Sequence, residues 1–190
     1  MIADTRFCRS ARACKALSAR GAKIEQVDLP QLNELPAINA KGGFAASEAY
    51  AWHKELIARR GGDYDPLVAP RIRRGAEMSA ADYIELLGKR ADLQKRVAAV
   101  TANYDAVAMP TCAIVAPTLD EVATPEGFTR KNMLLLRNTA VGNFLDRCSI
   151  SLPCHEAGEL PVGFMLMGEA MADKRLLALA RSVAPALAVH

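Results

Sequence analysis

The stretch 149–168, SISLPCHEAGELPVGFMLMG, constrains the fold of this chain more than any other segment. Two short runs of apolar and β-branched residues, SISLPC and PVGFMLMG, flank EAGEL, whose glycine and polar residues are typical of a turn. A leucine-rich helical pattern begins shortly afterwards, near Asp173. The order strand, turn, strand, helix predicts a hairpin packed against a helix, as in a layered α/β fold.

Other segments carry helical patterns. Residues 3–20 are predicted to form a helix capped by Gly21, and residues 44–60 a second helix that ends at a Gly-Gly pair. A helix from Ser79 to about Asn103 is indicated by S-A-A-D, a capping-box variant. Residues 131–145 are expected to be helical but broken or ended near Gly142, and Pro185 is expected to disturb or end the last helix. The predicted apolar stripes are Phe7, Ala11, Cys14 and Leu17 in the first helix, Ala45, Ala49, Trp52 and Leu56 in the second, and Tyr83, Leu86, Leu93, Val97 and Val100, interrupted by Arg90, in the third.

Strand patterns occur between these helices. AKIEQVDLP at 22–30 is predicted to be a strand, and YDAVAMPTC predicts a short buried strand closed by Pro110. The segments 64–78 and 111–128 contain prolines and are interpreted as connections. The fold class predicted for residues 1–190 is therefore α/β, a mixed β-sheet flanked by helices.

The composition excludes several classes of protein. Hydrophobic residues make up 51% of the chain and charged residues 24%, a balance typical of globular proteins. Basic residues are dispersed among acids, which does not favour a nucleic-acid interface. No apolar run approaches the ~20 residues that span a bilayer, and the basic start lacks the apolar segment of a secretory signal. Five cysteines without a CxxC pair indicate free thiols in a reducing cytoplasm and no metal site. We expect no cofactor, because no GxGxxG or P-loop pattern occurs.

Cys154 and His155 raise the question of a thiol nucleophile beside its base. Neighbouring residues of a strand point to opposite faces, and a catalytic dyad needs the base within about 3 Å of the sulfur. Pro153 and Gly158 indicate that the chain turns at this point. We therefore interpret Cys154, His155 and Glu156 as parts of a turn.

The order of these segments resembles the C-terminal portion of the amidase signature family. Five motifs occur in the family's order across nearly all 190 residues. They are GAKIEQVDLP, YDPLVAPRIRRGAEMSAADYIELLGKR, YDAVAMPTCAIVAPTLDE, RNTAVGNFLDRCSISLPC and the closing LPVGFMLMG. The resemblance implies an incomplete half of the amidase signature fold.

Family members use a serine nucleophile, a second serine held in a cis peptide and a lysine base, together with a Gly/Ser-rich loop that stabilises the oxyanion. KGGFAAS at 41–47 is only a superficial echo of that loop. None of the serines of this chain lies in such a run: Ser10, Ser18, Ser47, Ser79, Ser149, Ser151 and Ser182. We therefore expect a C-terminal part of an amidase domain that lacks the catalytic N-terminal part and contains no catalytic residue.

The resemblance also implies a contribution to the pocket. This portion of the family adds strands to the sheet and furnishes part of the acyl-side wall. Arg137, Asn138, Thr139 and Asn143 are the predicted substrate-binding residues, since arginine pairs with carboxylates and Asn or Thr orients an amide. Asp146-Arg147-Cys148 replaces the Gly-Leu-Pro of many members.

Expected partners are a small-molecule amide and either the missing N-terminal half or a second copy in a homo-oligomer. Three alternatives remain open. The first is a thiol hydrolase that uses Cys154 or Cys112. The second is a non-catalytic interaction module, because exposed sheet edges pair readily. The third is a fragment of a glutamyl-tRNA amidotransferase-like enzyme.

Overall fold

Two compact units make up the chain. The computed structural model describes the backbone of residues 5–187 and the side chains of residues 10–187. One unit contains the residues up to Asp28 and those from Thr101 onward, and the other contains Leu29–Val100. The side chains of Phe7 and Cys8 lie outside the described residues.

The α/β class is confirmed, with α-helices and one small sheet in the described part of the chain. The helices are α1 (Thr5–Ala19), α2 (Leu35–Ile38), α3 (Gly43–Arg60), α4 (Ala69–Arg73), α5 (Ala80–Thr101), α6 (Pro125–Leu145) and α7 (Asp173–Leu187). The strands are β1 (Val107–Pro110), β2 (Ser149–Pro153) and β3 (Gly163–Met167). Short 3₁₀ helices cover Pro30–Glu34, Gly61–Asp63, Arg74–Glu77 and Asp120–Val122.

The predicted hairpin of β2 and β3 is confirmed, and β1 joins it. The strand order is β1-β3-β2, with both pairs antiparallel. Met167 lies opposite Val107 of β1 and Ser149 of β2, so both edges of β3 are hydrogen-bonded along its length. Thr111 extends the ladder, because its N–H donates to the carbonyl oxygen of Gly163 at 2.9 Å.

The central strand β3 is buried on both faces. Phe164 and Leu166 share one apolar cluster with Leu17 of α1 and Leu176 of α7. Alternate residues of a strand face opposite sides, so Met165 and Met167 belong to the other face, where they are 2% and 0% exposed. Continuous burial of this kind explains why GFMLM has no polar alternation.

Helix α6 ends at Leu145, as predicted, but differs from the prediction at its start and at Gly142. It begins at Pro125, where Thr124 Oγ1 accepts a hydrogen bond from the N–H of Gly127 at 3.1 Å. It also continues through Gly142, where a Cβ would contact Ser149 Oγ at 2.9 Å and Met167 Sδ at 3.7 Å. Glycine is therefore required by the close approach of the helix to the sheet, and the predicted break at Gly142 was wrong.

A Schellman motif ends α6. The N–H of Arg147 donates to the carbonyl oxygen of Gly142, and the N–H of Asp146 donates to that of Asn143. Asp146 adopts the left-handed conformation, with φ of 58°. That conformation favours glycine. Asp146-Arg147-Cys148, which stands where many family members have Gly-Leu-Pro, therefore puts an aspartate where the backbone favours glycine. The guanidinium of the next residue, Arg147, donates to Thr101 Oγ1 at 2.6 Å.

In the second unit, the apolar stripe predicted for α3 was wrong for Trp52 and Leu56, whereas Ala49 packs against the apolar cluster. Ile57 faces inward and packs with Ala69 and Ile72 of α4. Trp52 is 84% exposed and Leu56 41% exposed. The inward side of α3 is offset from the predicted stripe, because the short helix α4, in a segment predicted to be a connection, contacts the Ile57 side.

The start of α5 is confirmed at the level of individual hydrogen bonds. The N–H of Ser79 donates to Asp82 Oδ2 and the N–H of Asp82 donates to Ser79 Oγ, each at 3.1 Å, which is the reciprocal pattern of a capping box. Arg90, which interrupts the predicted apolar stripe of α5, has a specific contact. Its guanidinium lies over the ring of Phe44, 5.2 Å from the centroid, and Phe44 also meets Tyr83 edge to face.

Two further predictions were wrong. Residues 22–29 form no strand, since the three described strands pair only with one another and Ile24 is 45% exposed. Pro185 lies inside α7, which continues to Leu187. Leu187, two residues after the proline, is buried in the apolar core of this unit.

The capping box predicts how stability depends on pH. The hydrogen bond from Lys41, together with those from Ser79, lowers the pKa of Asp82 to about 2. Its unfolded value is about 3.9, so the stabilisation by ionised Asp82 is present above about pH 4 and is lost as the pH falls through about 2. We expect Asp82→Asn to lower the free energy of unfolding at pH 6 and to approach the wild-type value near pH 2, as measured by urea denaturation. An Asp82 carboxyl that titrates near pH 4 by NMR would contradict this.

Candidate functional site

The four predicted pocket residues lie on α6 in different environments. Arg137 and Asn143 are exposed, whereas Asn138 and Thr139 are half-buried. Thr139 Oγ1 donates to the carbonyl oxygen of Leu136, a contact within the helix. Asn143 contributes its carbonyl oxygen to the cap at the end of α6. These two contacts do not link Thr139 or Asn143 to Arg137 or Asn138.

Asn138 connects α6 to the sheet. Its Nδ2 donates to the carbonyl oxygen of Pro110 at 2.7 Å, and its Oδ1 accepts from Arg137 Nε at 3.2 Å. Pro110 is the last residue of β1, so this amide fixes the point at which the chain leaves the sheet. The roles of Arg137 and Asn138 in substrate binding stay predictions, while the position of Asn138 beside the strand end is a structural fact.

A cleft of about 260 Å³ opens at the same strand end. The last residue of β1 and residues after it, residues before β3 and its first residue, one residue of β2 and one of α6 surround it. The lining is Pro110, Thr111, Cys112, Ile114, Val115, Ala116, Leu135, Ser151, Pro161, Val162 and Gly163. Most of these side chains are apolar, and such a concave apolar surface with few polar groups is the usual form of a small-molecule site.

Two hydroxyl groups form the polar part of this cleft. Thr111 Oγ1 and Ser151 Oγ are 2.6 Å apart and share one hydrogen bond. Both oxygens lie over Gly163, because a Cβ there would overlap both of them. A paired hydroxyl still has acceptor lone pairs, and one of the two has a proton to donate to a third group. Thr111 and Ser151 were not predicted as site residues, although Ser149 and Ser151 alternating along a strand are a signal of a polar face.

The Cys154 region is a hairpin loop braced by an ion-pair cluster. Arg12 of α1 contacts Glu156 at 3.0 Å and Glu159 at 3.1 Å, and its guanidinium also donates to the carbonyl oxygen of Cys154. The hydrogen bond to Glu159 is the main reason why the pKa of Arg12 is raised above its ordinary value. Glu159 Oε2 also accepts from the N–H of Glu156, which closes the turn.

Burial weighs against a thiol nucleophile at Cys154. The residue is 6% exposed and belongs to the apolar cluster with Leu152 and Phe164. Cys112 lines the cleft and is half-buried. The turn predicted for residues 154–158 is consistent with a positive φ of 82° at Gly158.

The described residues give two further findings. No group of three His, Cys, Asp or Glu side chains among them comes together as a metal site would require. None of the helices within residues 5–187 is both long and apolar enough to cross a membrane.

The close fit at Gly163 predicts the effect of an added methyl group. Gly163→Ala is expected to lower the free energy of unfolding by about 1–3 kcal/mol, since the Cβ must displace the packed hydroxyls of Thr111 and Ser151. Gly88→Ala in α5 is the control, because a Cβ there meets nothing within 4 Å and alanine favours a helix by about 1 kcal/mol. Chemical denaturation measures the free energy of unfolding of both variants and of the wild type. Equal stability of Gly163→Ala and the wild type would contradict the packing described above.

Comparison with known proteins identifies the family. The family model described as Amidase matches residues 8–177. A 2-amino-5-chloromuconic acid deaminase of Comamonas testosteroni is 31% identical over 175 residues, which are 90% of this chain and 37% of that protein. A glutamyl-tRNA(Gln) amidotransferase subunit of Sulfolobus acidocaldarius is 27% identical over 146 residues, 74% of this chain and 30% of that protein.

A solved structure shows the same fold. An allophanate hydrolase of Kluyveromyces lactis superimposes with a TM-score of 0.82 and 25% identity, covering 98% of this chain and 30% of that one. The chain thus spans about a third of the length of these relatives. With a family model that matches most of its residues and a sheet and helices that superimpose on a family structure, this chain belongs to the amidase family.

Proposed function

We propose that this chain is the scaffold and acyl-side pocket portion of an amidase that acts on linear amide C–N bonds. In this proposal the serine nucleophile, the bridging serine and the lysine base come from polypeptide outside the 190 residues. Support comes from the family match and from the share of each relative that the chain covers.

The cleft at the end of β1 is the observation that carries the proposal. Its apolar walls, among them Ile114, Val115 and Leu135, suit a short aliphatic group. The hydroxyl pair of Thr111 and Ser151 suits the polar end of an amide, which both donates and accepts hydrogen bonds. The proposed ligand is therefore a small aliphatic amide whose acyl part enters the cleft.

Asn138 is proposed as a positioning residue of this cleft. It holds the carbonyl oxygen of Pro110, and Pro110 and Thr111 line the cleft. Arg137 is exposed and contacts Asn138, so it is proposed to pair with a carboxylate where the aliphatic amide carries one. None of the four predicted residues lines the cleft of this chain, and Thr139 and Asn143 are kept as proposed substrate contacts only in the complete amidase.

The contacts of five serines support a non-catalytic role. Their hydroxyls bond to groups other than lysine. Ser18, Ser47 and Ser182 donate to backbone carbonyl oxygens, Ser79 to Asp82, and Ser151 pairs with Thr111. A lysine base must reach its serine by hydrogen bonding, and none of these contacts provides that geometry.

The amidotransferase relatives favour a second candidate within the same chemistry. Three of the curated relatives are glutamyl-tRNA(Gln) amidotransferase subunits, and an amidotransferase moves amide nitrogen to an acceptor. The cleft chemistry is the same for both candidates. An amide as the ligand is common to hydrolysis and transfer, and the acceptor distinguishes them.

A fluorophosphonate reagent, which labels activated serines, tests the non-catalytic role. We expect the intact mass of the chain to stay unchanged, because none of the serine hydrogen bonds described above involves a lysine base. A general acylating reagent applied in parallel confirms that exposed nucleophiles remain reactive. A stoichiometric adduct on one serine, located by peptide mass spectrometry, would show a nucleophile in this chain and end the proposal of a scaffold without catalytic residues.

Binding of butyramide tests the cleft itself. We expect weak binding by ligand-observed NMR, and a weakening of about 3- to 10-fold in Ser151→Ala and in Thr111→Val, since each variant removes one hydroxyl of the pair. Ser182→Ala on α7 is the matched control, because its hydroxyl donates to a carbonyl oxygen of its own helix, away from the cleft lining. Butyramide that does not bind at millimolar concentration, or that binds both cleft variants like the wild type, would contradict the proposed pocket.

A further inference from the structure

The loop between β2 and β3, residues 154–162, is held at three points by one side chain of α1. The guanidinium of Arg12 contacts Glu156 through one nitrogen at 3.0 Å. Its other terminal nitrogen contacts Glu159 at 3.1 Å and donates to the carbonyl oxygen of Cys154 at 3.3 Å. A planar guanidinium donates several hydrogen bonds in fixed directions, so a single arginine fixes the beginning and the middle of this loop together.

The helix that carries Arg12 is itself anchored in the core. Ala13 and Leu17 of α1 are 4% and 5% exposed and belong to the same apolar cluster as Phe164 of β3. Most residues of the loop 154–162 are exposed, by contrast, and are not part of that cluster. The Arg12 contacts therefore connect an exposed loop to a helix whose position is set by the core.

The far end of the same loop forms part of the cleft. Pro161 and Val162 both line it and are named here the loop wall. The N–H of Cys154 donates to the carbonyl oxygen of Val162 at 3.0 Å, so the two ends of the loop are hydrogen-bonded to each other. Arg12 binds the carbonyl oxygen of that same Cys154. A continuous series of contacts thus leads from α1 to the loop wall.

We propose that Arg12 is a positioning residue for the cleft, which keeps the loop wall in place through the loop 154–162. Arg12 does not line the cleft, so it acts through the loop and not by touching a ligand. A wall that is ordered before a ligand arrives lowers the entropic cost of binding. The position of the wall is a property of this chain alone, whereas the amide as its ligand rests on the proposed function.

The exposure of the ion-pair cluster separates this role from a general contribution to stability. The Arg12 side chain is 40% exposed and that of Glu156 is 61% exposed. Ion pairs with this much contact to water contribute little to the free energy of unfolding. Loss of Arg12 is therefore expected to loosen the loop wall while the unit stays folded, as in other local openings of exposed segments.

Two cysteines report on this difference without any ligand. Cys112 lines the cleft, and Cys148 lies at the other end of the hairpin, where its carbonyl oxygen accepts from the N–H of Gly168. Both are half-buried free thiols. Their rates of alkylation by iodoacetamide are measured separately by peptide mass spectrometry. Arg12→Ala is expected to raise the rate at Cys112 by about 3-fold or more and to leave that at Cys148 unchanged.

Three further variants test the contacts themselves. Glu159→Ala is expected to resemble Arg12→Ala, and the double variant to show less than the combined effect, because both changes remove one contact. Arg12→Lys keeps the charge without the planar fork and is expected to give an intermediate rate. Arg175→Ala on α7 is the matched control, since it removes an exposed arginine that contacts Asp105, before the start of β1, at 2.6 Å. The control should leave both cysteines at the wild-type rates.

Butyramide connects the loop wall to the proposed ligand. We expect Arg12→Ala to weaken its binding by about 3-fold in ligand-observed NMR, because the wall must then be ordered on binding. The midpoint of urea denaturation is expected to stay close to that of the wild type. Arg175→Ala should bind butyramide like the wild type.

The labelling rates decide the proposal separately from the proposed function. An unchanged rate at Cys112 in Arg12→Ala would overturn the positioning role, whether or not butyramide binds. Equal increases at Cys112 and Cys148 would overturn it as well, because they would show a general loosening of the unit. A selective increase at Cys112 in a chain that does not bind butyramide would support the role of Arg12 and end the proposed amide pocket.

Discussion

The unit that contains β3, described over residues 5–28 and 101–187, depends on one constraint: β3 is paired along both edges and buried on both faces. The strands β1 and β2 are hydrogen-bonded to its two edges. The side chains on both of its faces are buried, Phe164 and Leu166 on one and Met165 and Met167 on the other. With no free edge or face, β3 fixes the position of every element around it. The close approach of α6 at Gly142 and the hydroxyl pair above Gly163 both result from packing against this strand or its neighbours.

The cleft is a product of the same constraint. β1 ends at Pro110 opposite Phe164, and Thr111 still bonds to Gly163, so the chain must turn away from the sheet at that point. Asn138 holds the turn from α6, and Ser151 on β2 reaches the same place from the other side of β3. Three separate segments thus meet around a glycine, whose missing side chain lets the hydroxyls of Thr111 and Ser151 pack over it at the wall of the cleft. Apolar walls with a small polar group are an arrangement suited to a small amide.

Local signals in the sequence predicted the elements that depend on local interactions. The S-A-A-D pattern located the start of α5, and the EAGEL turn located the hairpin, because capping and turn formation involve residues close in sequence. The family and the α/β class followed from the order of motifs. Thr111 and Ser151 were not predicted, since their meeting depends on strand register, which no local pattern specifies. The outward turn of Trp52 and the missing strand at 22–29 were unpredictable for a related reason: periodicity indicates an apolar side of an element but not which neighbour covers it.

The strand order β1-β3-β2 also governs how the sheet assembles. The β2–β3 hairpin is closed by residues 154–162, whereas β1 is separated from β3 by α6, β2 and that loop. Local pairs form quickly, and pairs across a long loop wait for the entropy of loop closure to be overcome. During synthesis β1 leaves the ribosome well before β3 exists, and it must stay unpaired until the hairpin is made. We therefore expect β1 to join last, and its short length of four residues limits its pairing with another nascent chain in the meantime.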